Sequence, residues 1–173
     1  MRQGNKPMIL EAAVAVIESD GITAVTFDSV AAASGLTRGG IIYHFPSRED
    51  LIGAIHHHLA HRLEAQLEAA CGKPAEQATP RERLTAYIRV AAMAATRAEL
   101  HMLLDSTSTQ HSATWDHVLT RWTPPRDTPD TNGSARIALL AADGLWVNEA
   151  IGSSRMSPDE RAHAAEKIIA LLP

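Results

Sequence analysis

The sequence has one cysteine, few aromatic residues and no excess of positive charge, and each shortage excludes a class of protein. Cys71 alone cannot form an intrachain disulfide, which excludes a disulfide-stapled scaffold and is typical of an intracellular thiol. Aromatic residues make up only 4% of the chain, and its abundant alanine and leucine favour packed helices over a β-sandwich.

Long apolar runs are also missing. No stretch near the N-terminus is long and apolar enough for a signal peptide or a membrane span, so we expect a soluble cytoplasmic protein with no membrane partner. A length of 173 residues with 45% hydrophobic content suits one compact domain or two small ones with a real core.

The net charge of −4 argues against nonspecific binding to nucleic acid. Residues 1–50 carry four basic side chains (Arg2, Lys6, Arg38 and Arg48) against six acidic ones. Binding to a phosphate backbone needs a local basic face and not a basic protein, so these four cations would have to supply that face.

Residues 26–45, TFDSVAAASGLTRGGIIYHF, have the pattern of two short helices joined by a tight turn. Thr26 and Thr37 are each placed to cap a helix with the side-chain hydroxyl. Gly35, between the helices, can take the left-handed backbone that ends the first one. This order predicts a helix-turn-helix, whose second helix is sized to enter a DNA major groove.

The predicted second helix is unusual for a purely structural segment. Gly39 and Gly40 each cost about 1 kcal/mol relative to alanine in a helix interior, but they suit a backbone that approaches phosphate closely. Arg38 can grip a guanine edge or a phosphate, while Tyr43 and His44 can donate to phosphate oxygens. The residues alone leave open an irregular surface turn with a half-buried tyrosine.

The longer run GLTRGGIIYHFPSREDLI resembles the signature of TetR-family repressors, and the resemblance covers about residues 8–55. It implies DNA contacts by five positions of this run: Arg38, Gly39, Tyr43, His44 and Arg48. The two helix caps and the second glycine complete the predicted DNA-binding set: Thr26, Thr37 and Gly40. Ile42 departs from the aromatic residue of many relatives, and Gly40 lacks the side chain that often reads a base.

Helical spacing along the rest of the chain predicts an all-α protein in two parts. A first helix over 8–20 should pack with the helix pair to make a three-helix head. Ser47 should cap a long helix over 48–70 that joins this head to a second body. We expect residues 1–50 to form the DNA-binding head and residues 51–173 a helical effector-binding and dimerisation body, as the resemblance implies.

Four histidines lie on the long helix: His56, His57, His58 and His61. His57 and His61, spaced by four, could place two imidazoles on one metal ion, but no cysteine, third spaced histidine or Glu-x-x-His motif completes a site. We therefore predict no metal and no cofactor, and expect the histidines to face solvent or a dimer partner. No nucleophile elbow or phosphate loop supports an enzyme.

Residues 97–122 combine large apolar side chains, Trp115 and Trp122 among them, with a few polar groups, as small-molecule pockets do. The candidate effector pocket consists of His101, Met102, Asp105 and Trp115. The alternative is that these are ordinary core and rim residues.

The last two helices carry small and apolar residues at helical spacing, so two copies of the chain could form a four-helix bundle. The predicted dimer interface consists of Leu140, Ala141, Gly144, Leu145, Asn148, Ala165, Ile168 and Ile169. The alternative is that both stripes are buried within one subunit.

Together these features predict a homodimeric repressor of TetR type, bound to a pseudo-palindromic double-stranded operator and released by a small-molecule effector. Two alternatives stay open. One is a ligand-binding or adaptor dimer, and the other is a metal-dependent enzyme, each with a DNA head that no longer functions.

Overall fold

The computed structural model describes residues 4–93, 95–107, 110–125, 133–152 and 155–173, and all regular structure in these ranges is helical. The α-helices are α1 Asn5–Asp20, α2 Phe27–Ser34, α3 Arg38–His44, α4 Arg48–Cys71, α5 Pro80–Ala91, α6 Arg97–Ser106, α7 Ser112–Trp122, α8 Ser134–Ile151 and α9 Pro158–Ile169. Two short 3-10 turns cover Ile22–Ala24 and Ala75–Gln77. The predicted all-α fold is confirmed, and none of the described helices could span a membrane.

The chain divides into two compact units, and α4 and α7 contribute residues to both. The first unit contains Met1–Ala60 and Arg97–Trp115, and the second contains His61–Thr96 and Asp116–Pro173. The sequence pattern assigned α6 to the C-terminal body, whereas its packing places it with the N-terminal helices. The functional division at residue 50 stays a prediction.

The first unit is built on α1, which buries Ile9, Ala13 and Ile17 at intervals of four residues. Near the end of α1, the Glu18 carboxylate accepts a hydrogen bond of 2.8 Å from the backbone N–H of Ala98. Because the first amides of a helix have no partner within the helix, this carboxylate stabilises the start of α6. The same contact joins α6 to α1.

The second unit is built on α5, α8 and α9. Its core consists of Leu84, Ile88, Ala91, Ala138, Ala142, Ala165 and Leu172. The core residues that α8 and α9 supply are all alanines: Ala138, Ala142 and Ala165. Their small side chains let those helices approach α5 closely. Both α5 and α9 begin with a capping box and a proline in the first turn, from Thr79 and Ser157 respectively, so local sequence fixes where each helix starts.

Candidate nucleic-acid interface and ligand sites

The helix-turn-helix is defined by side-chain caps at both helices. The Thr26 hydroxyl accepts from the backbone N–H of Ser29 at 3.0 Å, and the Ser29 hydroxyl accepts from the backbone N–H of Thr26 at 2.9 Å. Gly35 ends α2 in the left-handed region with φ +69°. The Thr37 hydroxyl then accepts from the Gly40 N–H at 3.1 Å and starts α3. The two predicted caps and the turn are confirmed.

Helix α3 packs into the first unit through one side only. Ile41 is fully buried, whereas Tyr43 is 68% exposed. The His44 ring is half-buried and meets the Tyr43 ring edge to face, with 5.1 Å between centroids. The exposed positions of α3 are Arg38, Gly39, Ile42 and Tyr43. Most of the predicted DNA-binding residues of α3 are therefore accessible to a second molecule.

The two glycines of α3 have different structural reasons. A Cβ at Gly40 would lie 3.3 Å from the Thr37 hydroxyl oxygen, so the helix cap itself favours glycine there. A Cβ at Gly39 would meet no atom within 4 Å. Packing within the chain therefore does not require glycine at position 39, and the close approach of another molecule there stays a prediction.

Replacing Gly39 with alanine should raise the free energy of unfolding by about 0.5–1 kcal/mol, because alanine is the better helix former and the site has room. The same change should weaken DNA binding, since the added methyl group stands on the exposed side of α3. Urea unfolding and a DNA-shift titration measure the two effects. A variant that is more stable and binds DNA as tightly as the parent would contradict this role.

Arg38 forms an ion pair that the sequence pattern did not indicate. Its Nη1 donates to Asp28 Oδ2 at 2.6 Å, and its guanidinium lies 5.8 Å from the Phe27 ring centroid. The Arg38 and Asp28 side chains are 57% and 70% exposed, so the pair contributes little stability. The Arg38 Nε and Nη2 groups can still donate to a base edge or a phosphate, but the Asp28 carboxylate beside them opposes the approach of a phosphate.

Arg48 is anchored to the first unit through two backbone carbonyls. Its Nε donates to the Val25 oxygen at 2.8 Å, and its Nη2 donates to the Ile22 oxygen at 2.9 Å. These bonds fix the 3-10 turn to the first residue of α4. Arg48 is exposed, and three of the five N–H donors of its guanidinium are left over for another acceptor.

Of the other predicted cations of the head, Lys6 lies over the Phe45 ring with 5.7 Å between its Nζ and the ring centroid. Arg2 lies outside the described residues. Phe45 follows α3 directly, so Lys6 contributes positive charge close to the predicted DNA-binding helix.

Two of the four predicted effector residues meet at a buried histidine. The Trp115 Nε1–H donates to His56 Nδ1 at 2.9 Å, and His56 Nε2 lies 3.1 Å from Asp105 Oδ2. Because the indole can only donate, His56 is neutral with its proton on Nε2, which donates to Asp105. His56 is fully buried, so the expectation that this histidine faces solvent or a dimer partner is wrong.

The His111 ring stacks on His56 with 4.4 Å between centroids, and its Nε2 lies 3.3 Å from Glu49 Oε1. A Cβ at Gly53 would come within 3.2 Å of the His111 ring, so the absence of a side chain there admits His111 against α4.

Burial holds the pKa of His56 below its ordinary value, and the neighbouring His111 and His57 act in the same direction. The hydrogen bond to Asp105 opposes them.

The lowered pKa of His56 should make folding pH-dependent. The unfolded chain takes up this proton more readily than the folded one, so stability is complete above the unfolded pKa of about 6.5 and falls as the pH drops below it. One such group changes the free energy of unfolding by at most about 1.4 kcal/mol per pH unit. His56→Gln, compared with the parent by urea unfolding between pH 7.5 and pH 5.5, should show a smaller loss. Equal losses would contradict this account.

The other two predicted effector residues lie apart from the His56 hydrogen bonds. Met102 is fully buried. His101 lies beside the turn that ends α1, where a Cβ on Gly21 would come within 4.0 Å of its ring. On α4, His58 pairs with Glu11 at 2.7 Å, and His57 and His61 are exposed. No three His, Cys, Asp or Glu side chains among the described residues are grouped to hold a metal ion.

Two protein families match the sequence, and together they cover most of it. Residues 9–55 match the family described as bacterial regulatory proteins, tetR family. Residues 81–173, more than half of the chain, match the family described as tetracyclin repressor-like, C-terminal domain. The chain belongs to the TetR family. No match was found among the curated proteins.

Solved structures share the TetR fold over nearly the whole chain. A TetR-family member from Streptomyces coelicolor A3 has a TM-score of 0.63 at 20% identity, over 98% of this chain and 99% of that one. The multidrug binding protein EbrR complexed with malachite green has a TM-score of 0.64 at 20% identity, with the same coverage. A transcriptional regulator from Rhodococcus sp. Rha1 has a TM-score of 0.64 at 17% identity, over 95% and 94% of the two chains.

The second unit of this TetR-family chain contains a cavity of about 440 Å³ that the sequence pattern did not indicate. The cavity lies at the start of α5, the end of α7 and the first turn of α8. Its lining includes Arg81, Arg83, Leu84, Trp122, Ala135 and Leu172. Arg81, Arg83 and Leu84 lie on α5, whereas the other three come from α7, α8 and the residues after α9, so no single stretch of sequence indicates the site. Among these residues, the sequence pattern points only to Trp122 as part of a pocket.

Helix α8 of the same unit carries an exposed apolar stripe. Large side chains at intervals of three, four and seven residues are exposed: Ile137, Leu140, Val147 and Ile151. Gly144 lies within this stripe and is also exposed. Of the predicted interface residues, Leu140 and Asn148 are exposed, while Ala141 and Leu145 are half-buried.

Helix α9 contributes less free surface. Ala165 is buried in the core of the second unit, and Ile168 and Ile169 pack against that core. An exposed apolar stripe on a monomer is typical of a protein–protein contact. Among the described residues of the last two helices, such a stripe lies on α8.

Proposed function

We propose that the chain is a homodimeric transcriptional repressor that binds a pseudo-palindromic operator through α3. The observation that carries this proposal is the exposed surface of α3, where Arg38, Gly39 and Tyr43 are accessible while Ile41 alone anchors the helix. Membership in a family of bacterial regulatory proteins favours a regulator over the enzyme alternative. The cytoplasm, where DNA is present, is the proposed location.

The proposed partner on the α8 side is a second copy of the chain. Burying the exposed apolar stripe of α8 removes Leu140 and its neighbours from water, which contributes about 25 cal/mol for each Å² of apolar surface. A two-fold dimer also presents two copies of α3, which suits an operator with two inverted half-sites.

The proposed regulator is a small molecule that binds the C-terminal body and favours one arrangement of the dimer over another. A ligand shifts such an equilibrium only by the difference in its affinity for the two arrangements. The structural relative EbrR is described in complexes with malachite green and with ethidium, which supports ligand binding on this fold. Two places in the chain are candidates for this molecule. One is the pocket that the sequence predicts at His101, Met102, Asp105 and Trp115, and the other is the cavity of the second unit.

Substitutions on the DNA-binding face separate base reading from phosphate anchoring. Arg38→Ala should weaken specific binding by about 1–3 kcal/mol and relax the preference at one base pair per half-site. Asp28→Asn should tighten binding, since it removes the carboxylate that pairs with Arg38 and with it one negative charge beside the proposed DNA-binding helix. The measurement is affinity for single-base operator variants at several salt concentrations. Unchanged base preferences in Arg38→Ala would make Arg38 a phosphate contact only.

Arg48 needs a matched pair of variants because its guanidinium also holds the Val25 and Ile22 carbonyls. Arg48→Ala should lower the salt dependence by about one unit per subunit and also lower the free energy of unfolding. Arg48→Lys should keep the salt dependence but not the stability, since an ammonium group cannot reproduce both fork hydrogen bonds. If Arg48→Ala leaves the salt dependence unchanged, Arg48 serves the fold alone.

A further inference from the structure

The cavity of the second unit has apolar walls. Leu84, Ala135 and Leu172 line it together with Trp122, whose indole N–H is already bonded to Glu64 Oε1 at 2.8 Å. The lining threonines are also engaged: the Thr79 hydroxyl is part of the α5 capping box, and the Thr123 hydroxyl donates to the Leu119 carbonyl at 2.8 Å. The volume of about 440 Å³ lies within the range of about 300–1,000 Å³ typical of small-molecule sites.

Two cationic side chains line this cavity. Arg81 and Arg83 are among its lining residues, and no acidic side chain is among the described residues that line it. Arg83 Nη1 donates to the Arg121 carbonyl oxygen at 3.0 Å, and Arg81 Nη1 donates to the Leu172 carbonyl oxygen at 2.6 Å. Arg81 also contacts the Pro173 oxygen.

Each guanidinium has five N–H donors and directs only its Nη1 group to these acceptors. The Arg83 charge also acts on the nearby Glu76 carboxylate, but no hydrogen bond joins these two side chains among the described residues. The Arg83 Nε and Nη2 groups therefore retain donors for an anion. Arginine presents these donors as a planar fork that matches a carboxylate or a phosphate.

We propose that this cavity is the effector site and that it takes an amphipathic anion, with an apolar body against Trp122 and Leu84 and a carboxylate on Arg83. That the ligand regulates DNA binding rests on the proposed function, whereas its binding in the cavity does not. The apolar walls contribute binding through burial, and the arginine donors select the sign of the charged group.

The test uses two probes with the same apolar chain and opposite charge, decanoate and decyltrimethylammonium, each below the concentration at which it forms micelles. Calorimetric titration of the full chain without DNA should show saturable decanoate binding that is roughly tenfold tighter than binding of the cation. Equal affinities, or no saturable decanoate binding at millimolar concentration, would overturn the proposal.

Three variants locate the binding. Arg83→Gln should weaken decanoate roughly tenfold, because the amide keeps a polar side chain at the cavity but carries no charge. Ala135→Leu should weaken both probes, since the larger side chain fills the cavity. The control is Arg89→Gln on α5, whose arginine forms a surface pair with Glu166 at 3.8 Å and should leave decanoate binding unchanged. If Arg83→Gln and Ala135→Leu both bind decanoate as tightly as the parent does, decanoate does not bind in this cavity and the proposal is overturned.

DNA binding is measured in a separate gel-shift experiment. A chain that shifts operator DNA but does not bind decanoate would overturn the cavity proposal and leave the proposed function standing. A chain that binds decanoate with the expected variant pattern but shifts no DNA would support the ligand site and contradict the function. Arg83→Lys, which keeps the charge, should retain the preference for the anion and shows that the Arg83→Gln effect is electrostatic.

Discussion

Replacing Glu149 with alanine should lower the free energy of unfolding by about 3–5 kcal/mol, because the change leaves a largely buried arginine without its counter-charge. Glu149 is 1% exposed. Its Oε2 accepts from Arg161 Nη1 at 3.2 Å, and its Oε1 accepts from the Met156 backbone N–H at 3.1 Å. The carboxylate therefore links the end of α8 to the segment that leads into α9.

Arg161 makes this pair a central anchor of the second unit. Its side chain is 14% exposed, its Nε donates to the Ala92 carbonyl at 3.0 Å, and its Nη1 also donates to the Met156 carbonyl at 2.6 Å. One guanidinium thus joins the C-terminal end of α5 to the residues before α9. Removing one partner of such a pair lowers the free energy of unfolding by more than the pair contributes when intact, because the remaining charge stays out of water.

Urea unfolding of the parent and of Glu149→Ala measures this effect. The matched control is Glu166→Ala, which removes the exposed partner of Arg89 and should cost at most about 1 kcal/mol. A loss below about 1 kcal/mol in Glu149→Ala would show that Arg161 finds other acceptors or water, and it would contradict the anchoring role.

Gly144→Leu should shift the proposed dimer towards monomers without harming the isolated subunit. Gly144 is exposed, and a Cβ added there would meet no atom of its own chain within 4 Å. Leucine is also the better helix former, so the fold itself should not lose stability. In a dimer packed through α8, however, the new side chain forces the helices apart, which typically costs about 1–3 kcal/mol.

Sedimentation equilibrium at micromolar concentration measures the change. The parent should sediment as a dimer, and Gly144→Leu should dissociate roughly five- to 150-fold more readily, the factor that corresponds to that cost. Leu104→Gln on α6 is the control, because Leu104 is 59% exposed but lies outside the α8 stripe. A monomeric parent, or a variant that associates as tightly as the parent, would remove α8 as the interface.

The sequence predicted best what depends on neighbours along the chain. Thr26, Thr37 and Ser47 each lie three residues before a partner, and each forms the expected cap. At Ser47, the hydroxyl accepts from the Asp50 N–H at 3.0 Å, while Asp50 Oδ2 accepts from the Ser47 N–H at 3.0 Å. Such bonds form within one turn and require no knowledge of the tertiary fold.

What the sequence could not predict depends on contacts between distant residues. Asp28 pairs with Arg38 from another helix, ten residues away, with no helical spacing to indicate it. His56 lies in a run of histidines that looks solvated, but its burial depends on Asp105 and Trp115, about fifty to sixty residues later.

The apolar stripes of the last two helices show the same limit. Leu140 and Ala165 look alike as members of amphipathic stripes, yet Leu140 is 65% exposed and Ala165 only 4%. The difference is that Ala165 meets the core formed by α5 and α8, whereas the Leu140 side of α8 does not. Periodicity shows that a stripe will be buried, but not whether its partner is the same chain or a second one.

Selection of bound duplexes from a random DNA pool shows whether the chain reads DNA as a homodimer through α3. A homodimer that reads DNA through α3 should enrich sequences with two inverted half-sites, whose centres are separated by about one helical turn of DNA or a multiple of it. Arg38→Ala should lose the preference at one position in each half-site. Recovery of unrelated sequences, or of a single half-site without its inverted copy, would contradict the account.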